Sequence, residues 1–176
     1  MSPPSEATAV HLPKSALTTL SHRCAGIGAA GVEALREAGY RAGSDVLAAL
    51  GESAGDVRYE EFLSRLDTAL RRAGLGSVAY EPVSPSIGAV FWRGSVEAGG
   101  SRTDGASCHF AAGLLAGVLS RTAGRTVDVV EARCGGGGAR PCWFLFGSVE
   151  TLRSIRPRLS EVREAVDRGP QEAVGR

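Results

Sequence analysis

The spacing of apolar residues changes along the chain, and each change marks a change of predicted secondary structure. Between Pro13 and Leu50, small and apolar residues recur at steps of three and four, which is typical of an α-helix. The members of this stripe are Gly28, Val32, Leu35, Gly39, Gly43, Val46 and Leu50. Each glycine costs about 1 kcal/mol of helix stability relative to alanine. We therefore expect the stripe to lie close to another backbone, within the fold or in a second subunit.

A second amphipathic helix is predicted over 59–73, where Gly74 follows as a stop signal. Beyond it the apolar period shifts to two, which indicates strands. The predicted strands are 78–83, 89–96, 126–133 and 141–149. A Gly/Ser-rich loop over 98–107 leads into an apolar helix over 108–124, and a charged helix over 150–167 is interrupted at Pro157. Helices and strands do not alternate strictly, so the pattern favours an α+β fold.

Charge and composition exclude several classes of function. The chain has 20 Lys+Arg against 19 Asp+Glu, so no positive excess is available for nucleic acid or anionic membranes. No apolar stretch approaches the length of a membrane span, and the N-terminus lacks the features of a secretory signal. We expect a cytoplasmic protein in which thiols stay reduced. Its domain would cover 12–149, and the tails 1–11 and 168–176 would be disordered.

The stretch 131-EARCGGGGARPC-142 carries the candidate chemistry. Strand alternation puts Glu131 on the same face as two valines, where a lone carboxylate is costly unless it is paired, protonated or bound to a metal. Cys134 lies just past the strand end and Cys142 starts the next strand, so a hairpin would bring both thiols together. Cys108, at the start of the 108–124 helix, could supply a third thiolate. Three sulfurs and a carboxylate would make a closed tetrahedral zinc site.

The glycine run suits such a site. Three thiolates and a carboxylate around Zn²⁺ leave a net negative charge, which needs hydrogen-bond donors. Gly135–Gly138 can turn tightly and aim backbone N–H groups at the sulfurs, and Arg133 and Arg140 add positive charge. The alternative from spacing alone is that the cysteines are small buried hydrophobes and the glycines an unstructured loop. A phosphate cradle is disfavoured, because no Lys-Ser/Thr pair follows the run.

Several segments together resemble the 4-vinyl reductase-like domain family. The family pattern is a cysteine opening a Gly-rich helix, a strand ending in E-x-x-C, a Gly-containing turn and C-x-F. The matching segments are 108-CHFAAGLLAG-117, 124-GRTVDVVEARC-134 and 142-CWF-144. The segment 33-EALREAGYRAGSDVLAAL-50 is similar to the first long helix of the family. The resemblance covers about residues 12–148.

This resemblance implies a fold, a metal site and a ligand. Family members among the phenol-responsive activators of the DmpR/XylR type carry zinc on three cysteines and a glutamate, which correspond to Cys108, Glu131, Cys134 and Cys142. The fold is related to TRAPP vesicle-tethering subunits, which have an antiparallel sheet packed on helices and are usually dimeric. In the sensors, an apolar pocket near the zinc holds the ligand. The segment 92-WRGSVE-97 resembles one whose Trp helps hold the phenolic hydroxyl.

The sequence departs from the phenol sensors in one respect that bears on the ligand. Those sensors pair the Trp with an upstream histidine, whereas the histidines here are His11, His22 and His109. None lies between the first helix and the strands, so we expect a ligand other than phenol, or none. His109 points away from Cys108 on a helix and is not expected to bind metal. Cys24 is most simply explained by packing.

We therefore predict a zinc-containing, ligand-binding regulatory domain. Zinc would tie the 108–124 helix to the 126–149 hairpin, and so hold one wall of an apolar pocket for a small hydrophobic or aromatic molecule. The predicted pocket lining is Phe62, Leu66, Val90, Trp92, Phe110, Leu114, Phe144 and Phe146. The domain would act as a homodimer through a regulatory partner protein.

Two alternatives remain at this point. The first is a TRAPP-like dimeric scaffold, which would assemble through the small-residue stripe and the C-terminal helix with its pocket filled by side chains. The second, less favoured, is an accessory role in tetrapyrrole vinyl reduction, since the family name comes from bacteriochlorophyll synthesis. A closed four-ligand zinc leaves no open coordination position, and no flavin or nicotinamide motif is visible, so we do not expect an enzyme.

Overall fold

The computed structural model describes residues 13–50, 59–98, 107–136 and 140–161. The helices are α1 (Lys14–Gly26), α2 (Ala29–Ala49), α3 (Tyr59–Arg72), α4 (His109–Ala123) and α5 (Val149–Ile155), followed by a 3-10 turn (Arg156–Arg158). The strands are β1 (Ser77–Ser84), β2 (Ile87–Arg93), β3 (Asp128–Arg133) and β4 (Cys142–Gly147). Both predicted tails, most of the predicted 98–107 loop and part of the glycine run lie outside the described residues.

The strands form one antiparallel sheet in the order β1-β2-β4-β3. This confirms the predicted α+β class with an antiparallel sheet packed on helices. Strands β2 and β4 pair along their whole length, from Trp92 opposite Cys142 to Ile87 opposite Gly147. We call the Trp92–Cys142 side of the sheet its cysteine end, and the Ile87–Gly147 side its hairpin end.

The two faces of the sheet bury different clusters, as strand alternation requires. One face packs against α3 and α4 and contains Val129, with Val127 beside it. The opposite face is covered by α5 and contains Trp143 and Leu145, with Val130 beside them. The predicted separation of Val127 and Val129 from Val130 is therefore confirmed. The core that matters for function lies between the sheet and α4, which is buried on nearly every side.

Helices α2 and α4 meet at four glycines that carry no side chain into the contact. They are Gly39 and Gly43 on α2 and Gly113 and Gly117 on α4, and we call them the glycine seam. A Cβ atom at any of them would lie 2.1 to 2.3 Å from a carbonyl oxygen of the facing helix. The close backbone approach predicted for this stripe is thus made within the chain. The scaffold alternative was wrong to assign these two α2 glycines to a second subunit, because α4 already occupies that surface.

The predicted single helical pattern over 13–50 is also corrected, because the chain turns between α1 and α2. Gly28 precedes α2 with a φ of +96°, a conformation that side-chain-bearing residues rarely adopt. It is therefore a turn residue and not part of the buried stripe. Likewise, β2 ends at Arg93 because Gly94 turns the chain with a φ of +72°. The predicted strand ran on to residue 96.

The turn over 94–98 is held from both sides. On α1, Thr18 donates a hydrogen bond to the Val96 carbonyl and Lys14 donates one to the Gly94 carbonyl. At the far end of the chain, the predicted 150–167 helix is interrupted at Pro157 as expected, since α5 gives way to a 3-10 turn there. Among the described helices, none combines the length and apolar character needed to cross a bilayer.

Candidate metal centre

Four predicted ligand residues meet at the cysteine end of the sheet. Cys108 is the residue immediately before α4, Glu131 lies in β3, Cys134 follows β3, and Cys142 begins β4. One ligand atom from each lies within 4.8 Å of the others. Cys134 is half-buried and the other three residues are buried. Residues far apart in sequence therefore form one cluster with the composition needed to hold a metal ion.

The distances between the sulfurs match a metal site and exclude a disulfide. The Sγ atom of Cys108 lies 3.6 Å from that of Cys142 and 3.9 Å from that of Cys134, and the remaining pair is 4.0 Å apart. Two sulfurs on one tetrahedral zinc, each at about 2.3 Å, would be about 3.8 Å apart. A disulfide would need about 2.05 Å, and all three thiols are free.

Glu131 is oriented by backbone donors and leaves one oxygen for a cation. Its Oε2 atom accepts hydrogen bonds from the backbone N–H groups of Ser107 at 2.6 Å and Cys108 at 3.0 Å. Its Oε1 atom is buried and has no hydrogen-bond partner in the described part of the chain. Burial raises the pKa of this carboxyl, although the two backbone hydrogen bonds act against the shift. An unpartnered buried carboxylate oxygen beside three thiols fits a bound cation.

The sulfurs receive hydrogen bonds from the glycine run, as predicted. The N–H of Gly135 donates to the Cys142 Sγ at 3.3 Å, and that of Gly136 donates to the Cys134 Sγ at 3.4 Å. Gly136 has a φ of +63°, and a Cβ at Gly135 would lie 2.1 Å from a carbonyl oxygen. Ser107 also donates its hydroxyl to the Cys134 Sγ at 3.0 Å. Such donors offset the negative charge of metal-bound thiolates.

Crowding changes how readily the thiols lose their protons. Hydrogen bonding to Cys134 and Cys142, together with burial, raises the pKa of the Cys108 thiol. The same contacts, made in the opposite sense, lower the pKa of Cys134. A first thiolate is therefore easily formed at Cys134, whereas a second beside it is costly. A divalent cation would remove that cost by neutralising the charge that three thiolates bring together.

Sequence reasoning missed Glu97, which is completely buried. Its carboxylate accepts hydrogen bonds from the backbone N–H groups of Phe110 at 2.9 Å and Ala111 at 2.7 Å, in the first turn of α4. Burial raises its pKa to about 7, and the nearby Glu131 contributes to the rise. The available signal was an acidic residue between apolar ones in 92-WRGSVE-97, but which donors it would reach depends on the turn over 94–98.

The predicted pocket residues come together in one core, and most of them are packed against each other. Six of the eight are at most 2% exposed: Phe62, Leu66, Val90, Trp92, Leu114 and Phe144. Phe110 and Phe146 are partly buried against the same cluster. Trp92 donates its indole N–H to the Leu75 carbonyl at 2.8 Å. That donor is therefore already engaged, and a ligand at this position would contact the ring face instead.

Two cavities open beside this core. One of about 290 Å³ lies between α3, β1 and α4 and touches Leu66 and Val90. The other, of about 420 Å³, lies at the hairpin end and touches Phe62 and Phe146. Their linings share Tyr80 and Leu119. Four of the predicted lining residues reach one or other cavity, and the remaining four, nearer the cysteine end, line neither.

Comparison with known proteins supports the fold. Residues 89–148 match the family model of the 4-vinyl reductase domain. No curated protein sequence matches the chain. Among solved structures, the chain is similar to the phenol-responsive sensory domain of the transcription activator PoxR with phenol, with a TM-score of 0.70 and 18% identity over 86% of this chain and 82% of that one.

A second similar structure is trafficking protein particle complex subunit 3 from Naegleria fowleri, covalently bound to palmitic acid. It gives a TM-score of 0.53 and 12% identity over 76% of this chain and 89% of that one. At these identities the likeness is one of fold. The resemblance inferred from the sequence motifs is confirmed.

Proposed function

We propose that this chain, whose residues 89–148 match the 4-vinyl reductase domain, is a zinc-containing, ligand-binding regulatory domain for a small hydrophobic or aromatic molecule. The observation that carries the proposal is the position of α4. Its start belongs to the cysteine cluster, and its last turns, at Leu119 and Thr122, line the cavity at the hairpin end. One helix thus joins the candidate metal centre to the candidate ligand site.

The donor set favours zinc over other divalent ions. Three thiolates and one carboxylate suit a soft to borderline cation in tetrahedral geometry, whereas magnesium and calcium prefer oxygen ligands at higher coordination number. With Cys108, Glu131, Cys134 and Cys142 all bound, no position remains for water or substrate. When bound, the ion would supply cross-linking of α4 to β3 and β4 and not catalysis. We accordingly propose a binding domain rather than an enzyme.

The apolar surroundings define the ligand class. The cavity at the hairpin end has an aromatic floor, and its volume falls within the range of small-molecule sites. Phenol is not the ligand we propose, because the Trp92 N–H is engaged and neither cavity is lined by a histidine among the described residues. The likeness to the PoxR sensory domain, which was solved with phenol, supports the class of molecule and not its identity.

Output would pass through a partner protein, and we propose that the domain works as a homodimer. A TRAPP-like dimeric scaffold without a small-molecule ligand is the second candidate. The tight packing of Trp92, Leu114 and Phe144 at the cysteine end favours it, since side chains already fill that part of the core. Because α4 covers the glycine seam, such a scaffold would have to assemble through other surfaces. A role in tetrapyrrole vinyl reduction has no supporting feature in the described residues.

Native mass spectrometry of the purified chain tests these proposals together. We expect one zinc per chain, a dimer, and a small molecule that remains bound under gentle ionisation. Matched variants are Cys142→Ala, which should lose the metal, and Cys24→Ala, which should keep it. A metal-free chain after refolding with zinc would rule out the metal site. A zinc-loaded dimer that takes up no apolar molecule would favour the scaffold.

A further inference from the structure

The cavity at the hairpin end is apolar inside and polar at its rim. Its floor contains the rings of Phe62, Tyr80 and Phe146. The rings of Tyr80 and Phe146 have centroids 5.9 Å apart and lie over Gly88, where a Cβ would come within 2.8 Å of both. Gly88 therefore leaves room for an aromatic surface at this end of the sheet. Such a floor suits a flat or apolar ligand body.

The rim carries one charge, and it is positive. Among the described residues that line the cavity, Arg125 is the only charged one. It makes no hydrogen bond or ion pair with another described side chain, whereas Arg121, four residues earlier, donates to Ser44. Ser84 and Ser86 lie on the opposite side of the rim, and the Ser84 Oγ accepts the Ser86 N–H, which leaves its own proton to donate. Donors converge on the mouth, and no carboxylate lines it among the described residues.

The end of α4 must be included in this balance. The helix ends at Ala123, and Arg125 follows the left-handed cap Gly124. Helix C-terminal carbonyls carry a partial negative charge of about half an electron, which would repel an anion. The full positive charge of the Arg125 guanidinium exceeds it, so the net field at the rim still favours a negative group.

We propose that the cavity at the hairpin end binds an amphipathic anion, with an aromatic or apolar body on the Phe62–Tyr80–Phe146 floor and a carboxylate or sulfonate at Arg125. This inference rests on the proposed function and specifies the chemical class of its ligand. It also places the ligand at the opposite end of the sheet from the cysteine cluster. Arg125 would select for the charged head group, and the floor would supply most of the apolar contact.

A pair of fluorescent probes separates the two contributions. Anilinonaphthalene sulfonate carries an anionic head, and phenylnaphthylamine has the same ring system without it. Zinc-loaded protein should bind the sulfonate more tightly than the neutral probe. In Arg125→Gln, the Kd for the sulfonate should rise about tenfold or more, because a charge-assisted hydrogen bond is lost. The Kd for the neutral probe should stay within about twofold.

Two further variants locate the binding. Arg121→Gln removes an equal charge from the same helix end outside the cavity, and should change neither Kd. Ala123→Trp adds a ring at the exposed rim, and should weaken both probes. Unchanged sulfonate binding in Arg125→Gln, or equal affinity of the intact protein for both probes, would overturn the inference. In those cases, neutral-probe binding that is still blocked by Ala123→Trp would leave the proposed function standing. Failure of both probes to bind the intact protein would overturn both.

Discussion

Glu97 and Glu131 divide the backbone N–H groups at the start of α4 between them. Each buried carboxylate accepts two hydrogen bonds, Glu131 from the residues just before the helix and Glu97 from its first turn. The four donors belong to Ser107, Cys108, Phe110 and Ala111. A helix start has free N–H groups and a partial positive charge, so it stabilises both carboxylates. The same contacts fix the position of Cys108 relative to β3, and hence the shape of the cluster.

Removing any one thiol should remove the metal. We expect Cys108→Ala, Cys134→Ala and Cys142→Ala each to lose stoichiometric zinc and to melt about 10 °C lower, because the ion links α4 to β3 and β4. Elemental analysis together with thermal unfolding by circular dichroism measures both effects. Cys24→Ala, which alters a thiol on α1 outside the cluster, should keep its zinc and its melting temperature. Full zinc content in the three variants would contradict the assignment.

Glu131 and Glu97 should separate when metal affinity is measured. Glu131→Gln keeps an oxygen for the backbone donors but removes the charge, so zinc affinity should fall by about 10- to 100-fold. Glu97→Gln changes a carboxylate that contacts α4 but no cysteine sulfur, so its zinc affinity should fall much less. Competition with a chromophoric chelator gives both values. Equal losses in the two variants would mean that Glu131 acts only as a helix cap.

The raised pKa of Glu97 predicts a pH-dependent stability. In the unfolded chain this carboxyl ionises near pH 4.5, whereas in the folded chain it stays protonated up to about pH 7. The folded state therefore binds more protons between these values, and the contribution of Glu97 is greatest below pH 4.5 and declines up to pH 7. Relative to Glu97→Gln, the wild-type free energy of unfolding should fall by about 3 kcal/mol across this interval.

Urea unfolding of both zinc-loaded proteins at several pH values measures that difference. The two proteins share every other ionisable group and all the cluster residues, so titration of the thiols cancels in the comparison. The difference between them should level off above pH 7. Parallel stability profiles would contradict the pKa shift.

The glycine seam should not tolerate even one methyl group. A Cβ at Gly113 would lie 2.1 Å from the Arg36 carbonyl oxygen, so Gly113→Ala should force the helices apart and cost about 3 kcal/mol of unfolding free energy. Gly26→Ala is the matched control, since a Cβ there meets nothing within 4 Å. Its stability should be unchanged or slightly higher. Chemical denaturation distinguishes these outcomes, and equal effects would argue against the seam.

The two tryptophans should respond differently to loss of the indole N–H. Trp92 donates to the Leu75 carbonyl, whereas the buried Nε1 of Trp143 has no hydrogen-bond partner among the described residues. Trp92→Phe leaves a carbonyl unpaired and should cost about 1–2 kcal/mol more than Trp143→Phe. Both changes remove similar ring volume, so the difference reports the hydrogen bond. A smaller cost at Trp92 than at Trp143 would contradict it.

The sequence was informative where chemistry depends on local spacing. Strand alternation placed Glu131 with Val129, and the hairpin between Cys134 and Cys142 was apparent from the glycine run. These relationships involve neighbouring residues, whose geometry follows from a single strand or turn. The family resemblance then supported the more distant Cys108.

Longer-range relationships could not be predicted in the same way. The small-residue stripe indicated a close backbone contact but not that α4 would make it, because partner choice depends on the packing of the whole domain. The role of Glu97 depends on a turn that brings it to a helix start more than ten residues away. Predicted pocket residues were found in the right core, but whether a core is filled or open depends on packing details that apolar periodicity does not encode.

The glycine seam also bears on how binding could be detected at a distance. Most neighbouring helices are separated by a layer of side chains, which can change rotamer and absorb a small displacement. Here α2 and α4 touch main chain to main chain, so a shift of one is carried directly into the other. The outward side of α2, where Tyr40 is 42% exposed, would therefore move with the floor of the ligand site and display its state to a second molecule.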